Sequence, residues 1–147
     1  MDNSDTTGRV CVCITVSPAG PYIDGYSNNS VVSVAATVQS TTLTCRCRDA
    51  KPPATVAWLR NGVAVTSPGA TSSGVTSAGG GLWDVWSVVR VEGLSAELSG
   101  DVYTCRCEND ASVRPSVVIV RLHVLGLCRR RTAASQIIDQ QSGFYEC

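Results

Sequence analysis

Two Cys-x-Cys pairs, Cys45/Cys47 and Cys105/Cys107, constrain this chain more than any other feature. In a β-strand, residues i and i+2 point to the same face, so each pair aims both sulfurs one way. Two such strands facing each other across a core would staple the chain at its centre. Trp58 lies between the pairs, and Tyr103 stands two residues before Cys105. Around the first pair the alternation is clean. Thr41, Leu43, Cys45 and Cys47 share one phase, and Thr42, Thr44, Arg46 and Arg48 share the other. This is the period-2 signal of a half-buried strand, with the first set inward.

The rest of the chain reads as short strands separated by turn signals. Strands are expected over residues 10–16 and 31–38, and the Lys51-Pro52-Pro53 turn leads to a strand with Val56 and Trp58 inward. Asn61-Gly62 between two apolar runs signals a tight hairpin, so 63–66 should return as a strand. Residues 17–29 are rich in Pro, Gly, Ser and Asn and read as a loop. Residues 66–81 are mostly Ser, Thr and Gly. They read as flexible, O-glycosylatable chain with at most a short strand near 74–77. A strand over 82–91 places Trp83 and Trp86 on opposite faces, one more exposed than the other. Strands over 102–108 and 117–125 flank a turn at 109–116. No internal repeat appears.

Cys45, Trp58, Tyr103 and Cys105 resemble the immunoglobulin superfamily, and the stretch 94–105 is similar to its E–F corner. The resemblance covers residues 10–127. It implies an all-β fold, an immunoglobulin-like β-sandwich of two antiparallel sheets. Cys45–Cys105 would be the central disulfide between strands B and F, with Trp58, Tyr103 and Leu43 in the core. The Pro52-Pro53…Trp58-Leu-Arg-Asn-Gly62 stretch looks like intermediate-set adhesion domains. Arg121-Leu-His-Val-Leu-Gly126 resembles the last strand of variable domains, without their aromatic-Gly-x-Gly bulge. Residues 128–147 read as a linker or the start of a further module.

The remaining cysteines leave alternatives open. Cys47 and Cys107 sit in register one step beyond the central pair, so they can bridge if the sheets stay pinched. Packed sheets lie ~10 Å apart, while a disulfide needs Cα atoms within about 7 Å. Cys11 or Cys13 could instead cap Cys47 or Cys107. Cys128 and Cys147 would pair with each other or with a further module. Zinc is the competing reading, but zinc ligands usually show wider spacing, such as Cys-x₂-Cys. No metal or cofactor is expected.

Eight cysteines in 147 residues imply an oxidising compartment. The protein is read as extracellular, secreted or part of a cell-surface ectodomain. The start Met1-Asp-Asn-Ser-Asp has no apolar signal region. The longest apolar run, 117–127, is interrupted by Arg121 and His123 and is too short to span a bilayer. The chain is therefore taken to be a piece of a longer protein. Asn28-Asn29-Ser30 is an N-glycosylation sequon, which suits a surface loop.

Net charge is zero, so bulk electrostatics do not suggest a nucleic-acid partner. Eleven of twelve cationic residues are arginine, which suits planar hydrogen-bonding contacts or reflects coding bias. Catalysis is not expected. His123 is the only histidine and falls mid-strand. Gly79-Gly80-Gly81 lacks the lysine and helix of a phosphate loop. Glu97/Asp101 suit a corner and Glu108/Asp110 a loop.

Binding is the work such a scaffold usually does, and three surfaces suggest themselves. One is the pair of end loops, carrying Lys51 on one side and Asn109, Asp110 and Arg114 on the other. A second is the outer face of the C–F–G sheet, where Thr104, Arg106 and Glu108 point outward beside a last strand apolar in both phases. That face suits a protein ligand or a second copy of the chain. A third is Arg106 alone, in a stretch similar to the F strand of sialic-acid-binding lectins of this superfamily. This implies a carboxylate clasp on a glycan. A passive spacer, rigid through its disulfides, is a further reading. Arg129-Arg130-Arg131 reads as a solvated linker, a heparin contact or a processing site.

Overall fold

The computed structural model describes residues 14–126. Nine strands form two sheets. They are β1 (Ala19–Ile23), β2 (Ser30–Ala35), β3 (Ser40–Ala50), β4 (Thr55–Arg60), β5 (Val63–Ala64), β6 (Thr71–Gly79), β7 (Leu82–Glu92), β8 (Val102–Glu108) and β9 (Ser116–Leu125). One sheet runs β1-β3-β7-β6 and the other β2-β9-β8-β4-β5. All pairings are antiparallel except β2 with β9, which is parallel. A 3₁₀ turn at Ala96–Leu98 leads into β8, and no α-helix occurs among the described residues.

The alternation expected for β3 holds up to Cys47. Leu43, Cys45 and Cys47 are buried, and the intervening residues face out. The register then shifts between Cys47 and Ala50. Asp49 takes a left-handed φ of 54°, and its N–H donates to Asp84 Oδ1 at 3.0 Å. This one-residue bulge turns Ala50, rather than Asp49, into the core.

Two disulfides join the sheets. Cys45–Cys105 spans a Cα separation of 6.4 Å and Cys47–Cys107 one of 6.5 Å. The sandwich is thus pinched over two consecutive rungs, and Cys47 and Cys107 partner each other. All four sulfurs are fully buried. Trp58 lies beside Cys105 in the β4–β8 register and is buried with Leu43 and Tyr103 in the main core. Cys47, Cys107, Ala50, Ala54 and Val85 form a second, smaller cluster toward the β3–β4 end. Cys11, Cys13, Cys128 and Cys147 lie outside the described residues.

Three expectations change. The first strand of this sheet is β1, within the segment read as a loop, because Tyr22 and Ile23 pair with Arg46 and Cys45. Of the strand expected at 10–16, the described part makes a single bridge, Val16 with Lys51. The Ser/Thr/Gly stretch contains a nine-residue strand, β6, held by antiparallel backbone pairing to β7 along its length. Weak side-chain propensity is overridden there by a ready-made partner edge. Trp83 and Trp86 do take opposite faces. Trp83 follows the core phase of Val85 and Val89 yet stays 37% exposed, opposite Ala50 just past the β3 bulge.

The hairpin at Asn61-Gly62 forms with positive φ at both residues, 51° and 82°. Asn61 also fastens this turn to the start of β8. Its amide donates to Asp101 Oδ1 at 3.0 Å, and its Oδ1 accepts from Val102 N–H at 2.9 Å. Arg60 reaches the same carboxylate, 2.7 Å from Nε to Oδ2. Burial pushes the Tyr103 phenol above its ordinary pKa; Arg60 opposes that rise and Asp101 adds to it.

Candidate functional site: the outer face of the five-stranded sheet

The outward residues of β4, β8 and β9 fall into register. Ala57, Arg106 and Val117 form one row; Leu59, Thr104 and Ile119 form the next. Val31 of β2 stands beside Arg121 at the far side. Val117 is 50% and Val31 54% exposed, so apolar area reaches solvent on this face. β9 achieves this because it is apolar in both phases: Val118, Val120, Leu122 and Val124 fill the core, and Val117 and Ile119 face out.

Arg106 sits in the middle of this face. Its Nη2 donates to Glu108 Oε1 at 2.8 Å, two residues along the same strand. Its Nε is buried without a protein partner. A cation neutralised by its neighbour and rimmed by Ala57 and Val117 makes an amphipathic patch rather than an open anion clasp. His123, further along β9, lies 3.3 Å through Nδ1 from Ser99 Oγ.

The two end loops meet through Asn109, and the candidate side chains on them take different roles. Asn109 is engaged internally: its amide nitrogen donates to the carbonyls of Val16 and Pro52. Asp110 and Arg114 are exposed on the β8–β9 turn. Lys51 is exposed, but its ammonium extends toward Gly81 in the β6–β7 turn, so it serves the other sheet. Asn28 is exposed, with its Oδ1 accepting from Ile119 N–H at 2.9 Å. Asn109's bracing role and the Trp86–Gly74 contact described below went unread. The first involves partners far apart in sequence. The second needed β6 as a strand.

A sandwich of these two sheets, with a β3–β8 disulfide beside a buried tryptophan, defines an immunoglobulin-type domain. The family model for the immunoglobulin C1-set domain matches residues 29–112, and the chain belongs to that family. The matching set differs from the variable or intermediate set that the sequence resembles. Among solved structures, the chain is similar to Rst D1-D2, with a TM-score of 0.67 and 19% identity over 76% of this chain and 51% of that one. It is also similar to the mouse nectin-like molecule 4 full ectodomain, at 0.59 and 20% over 76% and 35%. A third is Dpr2 Ig1-Ig2 in complex with DIP-Theta Ig1-Ig3, at 0.52 and 20% over 74% and 32%. The chain therefore spans about half or less of each of these structures. No curated protein sequence matches it significantly.

Proposed function

We propose that this chain is an extracellular recognition or adhesion module that acts by protein–protein contact through the outer face of β2-β9-β8-β4-β5. The observation that carries this reading is the in-register patch of Ala57, Leu59, Val117 and Ile119 around the Arg106–Glu108 pair. Exposed apolar area organised around a polar centre suits a reversible protein interface. Two structural neighbours are an ectodomain and a complex between two multi-domain chains, which supports partner binding by a fold of this kind. A parallel β2 on the sheet of β9 and a two-residue β5 support an intermediate-set arrangement. Residues 10–127 are taken as the domain and 128–147 as a linker or the start of a further module. A second copy of the chain is the first partner to test. Sedimentation velocity over rising concentration should show reversible association that Ile119→Asp abolishes. A monomer at every concentration would remove the homophilic part of the proposal.

Carbohydrate binding by Arg106 is the alternative. It requires the ligand carboxylate to displace Glu108 from the guanidinium. A sialoside-array profile unchanged by Arg106→Ala would exclude it.

A further inference from the structure

The opposite sheet carries a groove that the proposed protein interface does not use. Its outward residues also align in rows. Tyr22, Arg46, Trp86 and Gly74 are successive partners across β1, β3, β7 and β6, and Asp84 and Thr76 pair in the next row. The groove has a volume of about 370 Å³ and is lined mainly by Arg46, Arg48, Asp49, Thr76, Asp84 and Trp86.

Trp86 is on the solvent side of its sheet, where a tryptophan contributes little to the core. Its position is set by Gly74. A Cβ at Gly74 would lie 2.4 Å from Trp86 Cζ2 and 2.5 Å from Cε2, so the indole rests on bare backbone. Only glycine leaves room for a ring this close to the strand. The result is an aromatic surface lying along the sheet, with its free side lining the groove.

The charged groups around it are in different states. Arg46 is held by Asp24, its Nε 2.9 Å from both carboxylate oxygens. Arg48 has no carboxylate partner among the described residues. Its guanidinium lies 6.0 Å from the Tyr22 ring centroid, a spacing at which the ring supports the cation while leaving its in-plane N–H groups usable. Asp84 accepts the Asp49 N–H through Oδ1 and keeps Oδ2 for another donor. Thr76 adds a hydroxyl.

An aromatic platform, a guanidinium with no carboxylate partner among the described residues, a carboxylate acceptor and a hydroxyl fit one class of ligand well. A pyranose ring presents a face of C–H groups to an indole and hydroxyls at its edge to Asp84 and Thr76. A ring carboxylate would match the guanidinium fork of Arg48. Asp49 and Asp84 oppose a densely charged polyanion such as a sulfated polymer or nucleic acid. The polar lining does not suit an apolar peptide.

We infer that this groove binds a carboxylate-bearing sugar, a sialic or uronic acid residue of a glycan, stacked on Trp86 with its carboxylate on Arg48. The test is a titration of the isotope-labelled whole chain, following amide and indole N–H signals. The probes are 3′-sialyllactose, a glucuronate-terminated disaccharide, neutral lactose and a sulfated heparin oligosaccharide. Saturable shifts at the Trp86 indole with one of the two acid sugars are expected, and the responding sugar identifies the source. Arg48→Gln should weaken that binding about tenfold or more, as loss of a charge-assisted contact does. Gly74→Val should weaken it while leaving every polar group in place, and Arg106→Ala should leave it unchanged. Since Arg106 is on the other face, the result is independent of the protein-contact proposal. The inference is overturned by no saturable shift with either acid sugar, by equal binding of lactose, or by binding of the sulfated oligosaccharide alone. Binding that survives Arg48→Gln in a folded chain, or that is lost in Arg106→Ala, also overturns it.

Discussion

The side-chain amide nitrogen of Asn109 donates to the carbonyl of Pro52 at 2.9 Å, and to that of Val16 at 2.8 Å. Its Oδ1 accepts from Ala111 N–H and Ser112 Oγ at 3.1 and 3.2 Å. One side chain thereby ties the β3–β4 turn, the β8–β9 turn and the segment before β1 into a single cap. Ser17 Oγ adds a bond to Ala111 O at 2.9 Å. The end loops are thus braced, and the second disulfide stiffens the same end from within.

Replacing Asn109 should therefore loosen the whole cap. Asn109→Ala leaves the Pro52 carbonyl and the Ala111 N–H without these partners and takes one of its two donors from the Val16 carbonyl, at a cost of about 1–3 kcal/mol. Asn109→Asp keeps the acceptor but loses both donors, and sets a carboxylate against the Pro52 and Val16 carbonyls. It should be no more stable than the alanine variant. Urea unfolding should show a lower midpoint with an unchanged slope for both.

The two disulfides should be strongly non-additive. Each closes a loop with a sequence separation of 60 residues, worth roughly 4 kcal/mol in the chain-entropy model when it acts alone. With one bridge in place, the other closes only the small ring through Arg46 and Arg106, worth roughly 2 kcal/mol. Removing either pair alone should therefore cost about 2 kcal/mol, and removing both about 6. Paired Cys→Ala variants, unfolded in denaturant under oxidising conditions, check the difference. Equal and additive losses would contradict nesting.

Much of this was legible in the sequence, for a physical reason. Cys45, Trp58, Tyr103 and Cys105 are large or cross-linked core groups whose spacing follows from strand length and sandwich thickness. The strand alternation around them survives any detail of packing. The second bridge stayed undecided because one dimension, the sheet separation at Cys47 and Cys107, is set by three-dimensional packing. β6 was hidden because Thr71, Ser73 and Ser77 carry no apolar period; its pairing depends on β7 offering an edge. The Trp86–Gly74 contact was hidden with it. On the recognition face, the outward phase of Thr104, Arg106 and Glu108 could be read from alternation alone. That Glu108 occupies the Arg106 guanidinium could not, since it is a choice of rotamer.

Tyr103 gives the domain an alkaline limit. Burial raises its pKa above 10.0, so the folded state favours the neutral phenol. The unfolded chain ionises first as pH rises. The stabilisation from this group is thus complete below pH 10 and is lost as pH climbs through the folded-state pKa. Tyr103→Phe, which has no phenol to ionise, should lose less stability between pH 9 and the alkaline range than the parent does. Denaturant midpoints at matched pH, measured without thiols, test the sign. An identical alkaline fall in both proteins would mean that another group controls it.

Val117 offers the sharpest test of the recognition face. It is half exposed on β9, next to Arg106 on β8, with Ala57 completing the row. A carboxylate at this position would be buried in any interface formed there, and it would compete with Glu108 for the guanidinium. Val117→Asp should leave the fold intact, because the side chain points away from the core filled by Val118 and Val120. It should weaken association by about tenfold or more, the consequence of burying an unpaired charge. Arg48→Gln, on the other sheet, should leave association unchanged. Sedimentation velocity of the parent and both variants at matched concentration reads all three outcomes. Equal association by Val117→Asp and the parent would move the contact off this sheet.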